Sequence, residues 1–151
     1  MRIYPLSEGS FTIDQTKVFV PFDTVSENLQ NRPKGSLLVE IQPFVVVTEQ
    51  DIILFDTGLG YFNNAGILQL HDQLMQIGID PSSVTKVFMS HLHKDHAGGL
   101  SYLHPIHNER FISFPYAKYY IQKREFALAI SGTSPSYLAE QVQLLENFSG
   151  V

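Results

Sequence analysis

A chain of 151 residues, 44% hydrophobic and 17% charged, is composed like an ordinary globular protein, long enough to bury roughly 70% of its unfolded surface in one domain. Its net charge of -5 argues against a nucleic-acid surface, and the lack of cysteine excludes disulfides and thiolate metal sites, so any metal must be held by nitrogen and oxygen. No apolar run approaches the roughly 18 residues of a membrane span, and Met1-Arg2-Ile3-Tyr4 does not open a signal peptide, so a cytoplasmic protein is expected.

In chain order, Lys17 to Phe22 is short and β-rich. Leu37 to Ile41, Phe44 to Thr48 and Ile52 to Phe55 predict further strands, with Glu49-Gln50-Asp51 as a polar turn. The continuous apolar runs of the last two predict a sheet buried on both faces. Ile67, Leu70, Leu74 and Ile77 share one helical face and predict a helix over 65–77, closed by Gly78. His71 falls on its polar side, where a solvated side chain is expected. Lys86 to Met89 reads as a buried strand, Ala117 to Gln122 as another, and Lys123 to Ile130 as a short helix. Ser134-Pro135 reads as a helix start, followed by an apolar stripe of Leu138, Val142 and Leu145. Strands leading and helices interleaved predict a layered α/β domain spanning 1–151.

The stretch "VFMSHLHKDHAGGL", Val87 to Leu100, places three histidines and an aspartate within six positions. His91 and His93 would lie about 200° apart around a helix axis, so they can share a metal only from a strand end or tight loop. Asp95 and His96 can reach a second point beside the first. The strand end is where open α/β sheets place their chemistry, and Gly98-Gly99 lets the backbone turn sharply. The ligand types suit Zn, with Mn or Fe as alternatives. Two adjacent ions could hold one hydroxide between them, its water's pKa lowered toward about 7.

"SHLHKDHAGG" resembles the H-x-H-x-D-H signature of the metallo-β-lactamase-fold hydrolases. "ILFDTGLG", Ile53 to Gly60, resembles the earlier motif of the same superfamily, and the likeness covers most of Phe44 to Leu100. The resemblance implies a four-layer αββα sandwich with metals at the edge between its two sheets. It makes His91 and His93 ligands of a first metal, and Asp95 and His96 ligands of a second. Asp95 would also be the catalytic residue, and Asp56 a carboxylate that orients the ligands. The implied reaction is attack of a metal-bound hydroxide on a lactone, ester or amide carbonyl, and the lactonase-like branch fits best. Lys94 reads as a solvated side chain.

Family members also use a third histidine, a bridging aspartate and a final histidine further along. Here His104 and His107, in "LHPIHNERF", lie too close behind the motif to serve. Asp95 is the last aspartate, and no histidine follows His107. The chain is therefore expected to match the N-terminal portion of the fold and to lack its C-terminal half. Partial metal occupancy is expected, with a single ion on His91 and His93 as the main form. The competing expectation is a non-catalytic half-domain that self-associates and keeps only part of a metal site. Either way the inner sheet face would lack its partner sheet. At roughly 25 cal/mol per Å² a wet apolar face would exhaust a stability of about 5–15 kcal/mol, so a homodimer through that face is expected.

Overall fold

The computed structural model describes residues 1–104 and 106–148. Its central sheet has five strands in the order β1 (Arg2–Pro5), β5 (Phe44–Val47), β6 (Ile52–Phe55), β7 (Lys86–Phe88) and β10 (Lys118–Tyr120). The β1–β5 and β5–β6 pairs are antiparallel, whereas β6–β7 and β7–β10 are parallel. A second, antiparallel sheet joins β3 (Val20–Pro21), β2 (Gly9–Ile13) and β4 (Leu37–Ile41). The hairpin β8 (Ser101–Leu103) and β9 (Arg110–Ile112) follows the histidine motif. The helices are α1 (Gln69–Gln76), α2 (Lys94–Ala97), α3 (Lys123–Ile130) and α4 (Ala139–Val142).

This is the layered α/β arrangement expected, and the predicted segments Leu37–Ile41, Phe44–Thr48, Ile52–Phe55, Lys86–Met89, Ala117–Gln122 and Lys123–Ile130 each carry the strand or helix expected of them. The strand expected over 17–22 shrinks to two residues. The helix expected over 65–77 begins only at Gln69, because Asn63 Oδ1 accepts the N–H groups of Ala65 and Ile67 and holds that stretch as a turn. Gly78 then closes the helix at φ +79°, its N–H donating to Met75 O. Ser134-Pro135 does not start a helix. Tyr137 N–H donates to Ser134 O and Ser136 N–H to Ser134 Oγ, a local turn that delays the helix to Ala139.

Leu6, Val45, Leu54, Val87 and Tyr119 form the covered face of the central sheet, packed with Leu70, Leu74, Ala129, Val142 and Leu145 from the helical layer. The opposite face corrects the expectation of burial on both sides. Phe44, Phe55 and Phe88 point there and remain 41%, 40% and 48% exposed. Phe55, Phe88 and Tyr120 form a row with ring centroids 5.8 and 5.6 Å apart. Both faces are apolar in composition, but among the described residues helices lie against only one of them. A second cluster of Phe11, Phe19, Ile41 and Leu59 packs the small sheet onto the loop after β6. No helix among the described residues is long and apolar enough to cross a membrane.

Candidate metal centre

The two sequence motifs leave the C-terminal ends of neighbouring parallel strands, β6 and β7, and so emerge side by side. Asp56 N–H donates to Phe88 O at 3.0 Å and continues the ladder one residue past β6. Asp56 then turns into the left-handed region, φ +60°, which few non-glycine residues adopt. That turn aims its carboxylate across at the second motif. Ser90 N–H and Ser90 Oγ donate to it at 2.8 and 2.7 Å, and His96 Nδ1 lies 2.8 Å from Asp56 Oδ2.

His91 and His93 flank the buried Leu92 in the loop that leaves β7. His93 begins α2, its carbonyl accepting the N–H groups of His96 and Ala97 at 2.9 and 2.8 Å. This single helical turn carries Asp95 and His96 back toward the first two histidines. The His91 ring centroid lies 4.6 Å from that of His93 and 4.1 Å from that of His96. Asp95 Oδ2 is 3.5 Å from His96 Nε2. The fold thus brings together His91, His93, Asp95, His96 and Asp56.

Close glycine packing locks the two loops together. Thr57 N–H and Thr57 Oγ1 both donate to His96 O, at 2.7 and 3.0 Å, and Gly58 bridges Ala97 in parallel. A Cβ on Gly99 would collide with the Thr57 carbonyl, and one on Gly60 with the Gly98 carbonyl. Only glycine admits this approach.

Burial opposes ionisation of Asp56, but the hydrogen bonds from His96 and Ser90 outweigh it and hold the carboxyl below its ordinary range. The same bond raises the His96 pKa. His91 is lowered, first by burial and then by the neighbouring His96 and His93 rings. Neutral imidazole is the metal-binding form, so the lowering at His91 suits a divalent ion, whereas His96 keeps Nδ1–H bonded to Asp56 and would bind through Nε2. Their arrangement is not yet a closed shell: among the described residues, no three His, Asp or Glu side chains converge closely enough to hold an ion as they stand. Both ring nitrogens of His96 face carboxylates, so an ion at Nε2 would have to displace the Asp95 contact.

Sequence reasoning missed Ser90, which links Asp56 to His91 by a 3.1 Å contact to Nδ1. Glu8 was also missed. Its carboxylate, 7% exposed, accepts the Leu59 N–H at 2.5 Å beneath the turn that presents Asp56. Neither residue has a local motif; each matters only through a contact made by folding. His71 differs from expectation too. The hairpin β8–β9 and the following segment fold over it, so its ring packs on Tyr102 and Phe114 and its Nε2 lies 2.9 Å from Ser113 O. Burial lowers its pKa. His104 and His107 sit in the turn of that hairpin, ring against ring at 4.6 Å.

The profile of the metallo-beta-lactamase superfamily matches residues 40–142. No curated protein matches the chain. Among solved structures, AidC, a dizinc quorum-quenching lactonase in complex with a product, N-hexnoyl-L-homoserine, is 26% identical, with TM-score 0.62 over 97% of this chain and 53% of that one. A quorum-quenching N-acyl homoserine lactone lactonase is 24% identical, with TM-score 0.60 over 93% of this chain and 52% of that one. A probable metal-dependent hydrolase from Staphylococcus aureus is 20% identical, with TM-score 0.63 over 87% of this chain and 50% of that one. The chain spans about half the length of the solved structures it matches. It belongs to the metallo-beta-lactamase superfamily.

Proposed function

We propose that this chain supplies the ligand-bearing half of a metal-dependent hydrolase site whose substrate is a small lactone or a related ester or amide. The observation that carries this reading is the gathering of His91, His93, Asp95 and His96 beside a carboxylate already bonded to one of them. The likeness to a dizinc lactonase supports the choice of metal and substrate class.

In this reading His91 and His93 hold one divalent ion, with Zn²⁺ the first choice, and Asp95 and His96 hold a second. When bound, such ions supply a water ionised near neutral pH and a Lewis acid for the developing oxyanion. The chain's own residues do the rest. Asp56 accepts a hydrogen bond from His96 Nδ1–H, fixing the tautomer that leaves the Nε2 lone pair free for an ion. Ser90 steadies Asp56 from behind. Asp95, beside Nε2, can receive a proton and return it to the leaving oxygen.

A second reading, a non-catalytic half that self-associates, is favoured by the uncovered sheet face with Phe44, Phe55 and Phe88. Patches of this kind in soluble proteins are normally covered, and a second copy packed sheet on sheet about a two-fold axis would do so. Elemental analysis after dialysis, with N-acyl homoserine lactone hydrolysis followed by pH-stat, separates the two readings. Close to two ions per chain with turnover supports the hydrolase. Substoichiometric metal without turnover overturns activity in this chain and supports the second reading.

A further inference from the structure

Behind the histidine loop, opposite the Asp56 side, lies a group of contacts to which no sequence motif pointed. Leu92 N–H, between the two candidate ligands His91 and His93, donates to Glu125 Oε1 at 3.0 Å. Glu125 stands in the first turn of α3, whose N-cap Gln122 accepts the Glu125 N–H at 2.8 Å and so fixes the residue that reaches Leu92. Next in space is Tyr137. Its ring meets the His93 ring edge-on, with centroids 4.9 Å apart and planes at 70°. Burial and then the Glu125 carboxylate raise the Tyr137 pKa. Beside it, Lys94 N–H donates to Ser136 O at 2.8 Å. The turn at Ser134 that delays α4 is what carries Ser136 and Tyr137 to this place.

We propose that Glu125 and Tyr137 are positioning residues for the His91–His93 arm: one fixes the backbone between the two histidines, and the other fixes the plane of the His93 ring. The proposal rests on the reading of these histidines as metal ligands. Two imidazoles from one strand end can share an ion only if the residue between them is held with its side chain inward. Leu92 is so held, fully buried on one side and bonded through its N–H on the other. Asp56 supports His96 at its ring and Glu125 supports the backbone between His91 and His93, so each half of the candidate ligand set has its own carboxylate.

The test is a Co²⁺ titration of the full chain followed by visible absorption, alongside amide hydrogen exchange, for wild type and four variants. Glu125→Ala is expected to weaken Co²⁺ about 10–100-fold, the usual cost of losing such support. Glu125→Gln, which still accepts the Leu92 N–H, should restore affinity close to wild type. Tyr137→Phe, which keeps the ring, should bind like wild type and show the same ligand-field bands. Tyr137→Ala should shift those bands and weaken binding. A folded Glu125→Ala protein with wild-type affinity and spectrum would overturn the proposal. If the wild type takes up no cobalt, the hydrolase reading fails, and the positioning claim is then decided by exchange alone. Fast exchange at Leu92 in Glu125→Ala with slow exchange in Glu125→Gln upholds it, and equal rates overturn it.

Discussion

His96 Nδ1 and Asp56 Oδ2 lie 2.8 Å apart, and Asp56 reaches that position only by adopting φ +60°. Conformation and chemistry at residue 56 can therefore be separated by substitution. Asn tolerates the left-handed region, whereas Ala incurs about 1–2 kcal/mol there. Asp56→Asn is expected to keep most of the fold's stability while weakening metal binding about 10-fold or more. Asp56→Ala should lose both. Urea unfolding with chelator competition measures the two effects; equal stability of the two variants would show that the backbone at 56 carries no strain.

Glu8 makes stability depend on pH. Burial raises its pKa from 4.5 to about 7, despite the opposing hydrogen bonds from the Leu59 and Gly60 N–H groups. The folded protein therefore holds a proton that the unfolded chain has already released. Stability from this group is full below pH 4.5 and is lost as pH rises through about 7. The loss amounts to about 3 kcal/mol. Glu8→Gln mimics the protonated form, so it should match wild type near pH 4 and exceed it at pH 8. Thermal melts at the two pH values decide; a variant less stable than wild type at pH 8 would refute this.

Gly99 has no room for a methyl group, because a Cβ there meets the Thr57 carbonyl. That carbonyl cannot retreat easily, since Thr57 is bonded to His96 O through both its N–H and its hydroxyl. Gly99→Ala should cost about 3 kcal/mol, at the upper end of overpacking, and should weaken Co²⁺ binding as the loops part. Calorimetry and the same titration check both; a fully stable variant would mean the loops slide past each other freely.

Phe88 stands in the aromatic row of the open sheet face. If a second copy covers that face, Phe88→Glu should yield a folded monomer where wild type is a dimer. Light scattering at micromolar concentration gives the answer. A monomeric wild type would exclude the dimer and leave the face free for another sheet.

Much of this architecture was legible in the chain itself, for identifiable reasons. Phe44–Val47 and Ile52–Phe55 announce themselves because β-branched and aromatic runs between turns have few alternatives to a strand. The two motifs were legible as neighbours because each follows such a run. Contacts distant in sequence were not. Glu125 is 33 positions from Leu92, and nothing near it marks a residue that bonds to a histidine loop. His71 has the polar helical position of a solvated residue, yet the later hairpin covers it. Arg2–Pro5 and Gly9–Ile13 were missed because short segments containing Pro, Gly and Ser have weak strand patterns, and here cross-strand partners supply the order.

The junction in which Thr57 bonds twice to His96 O and Gly58 bridges Ala97 makes the two loops a single thermodynamic unit. A graft that moved only residues 90–99 into another scaffold would transplant every candidate ligand without the 56–60 turn they are moulded against. Substitutions made separately in 56–60 and in 96–99 should therefore be strongly non-additive. Any attempt to transfer or redesign this centre has to treat the aspartate turn and the histidine turn as one cassette.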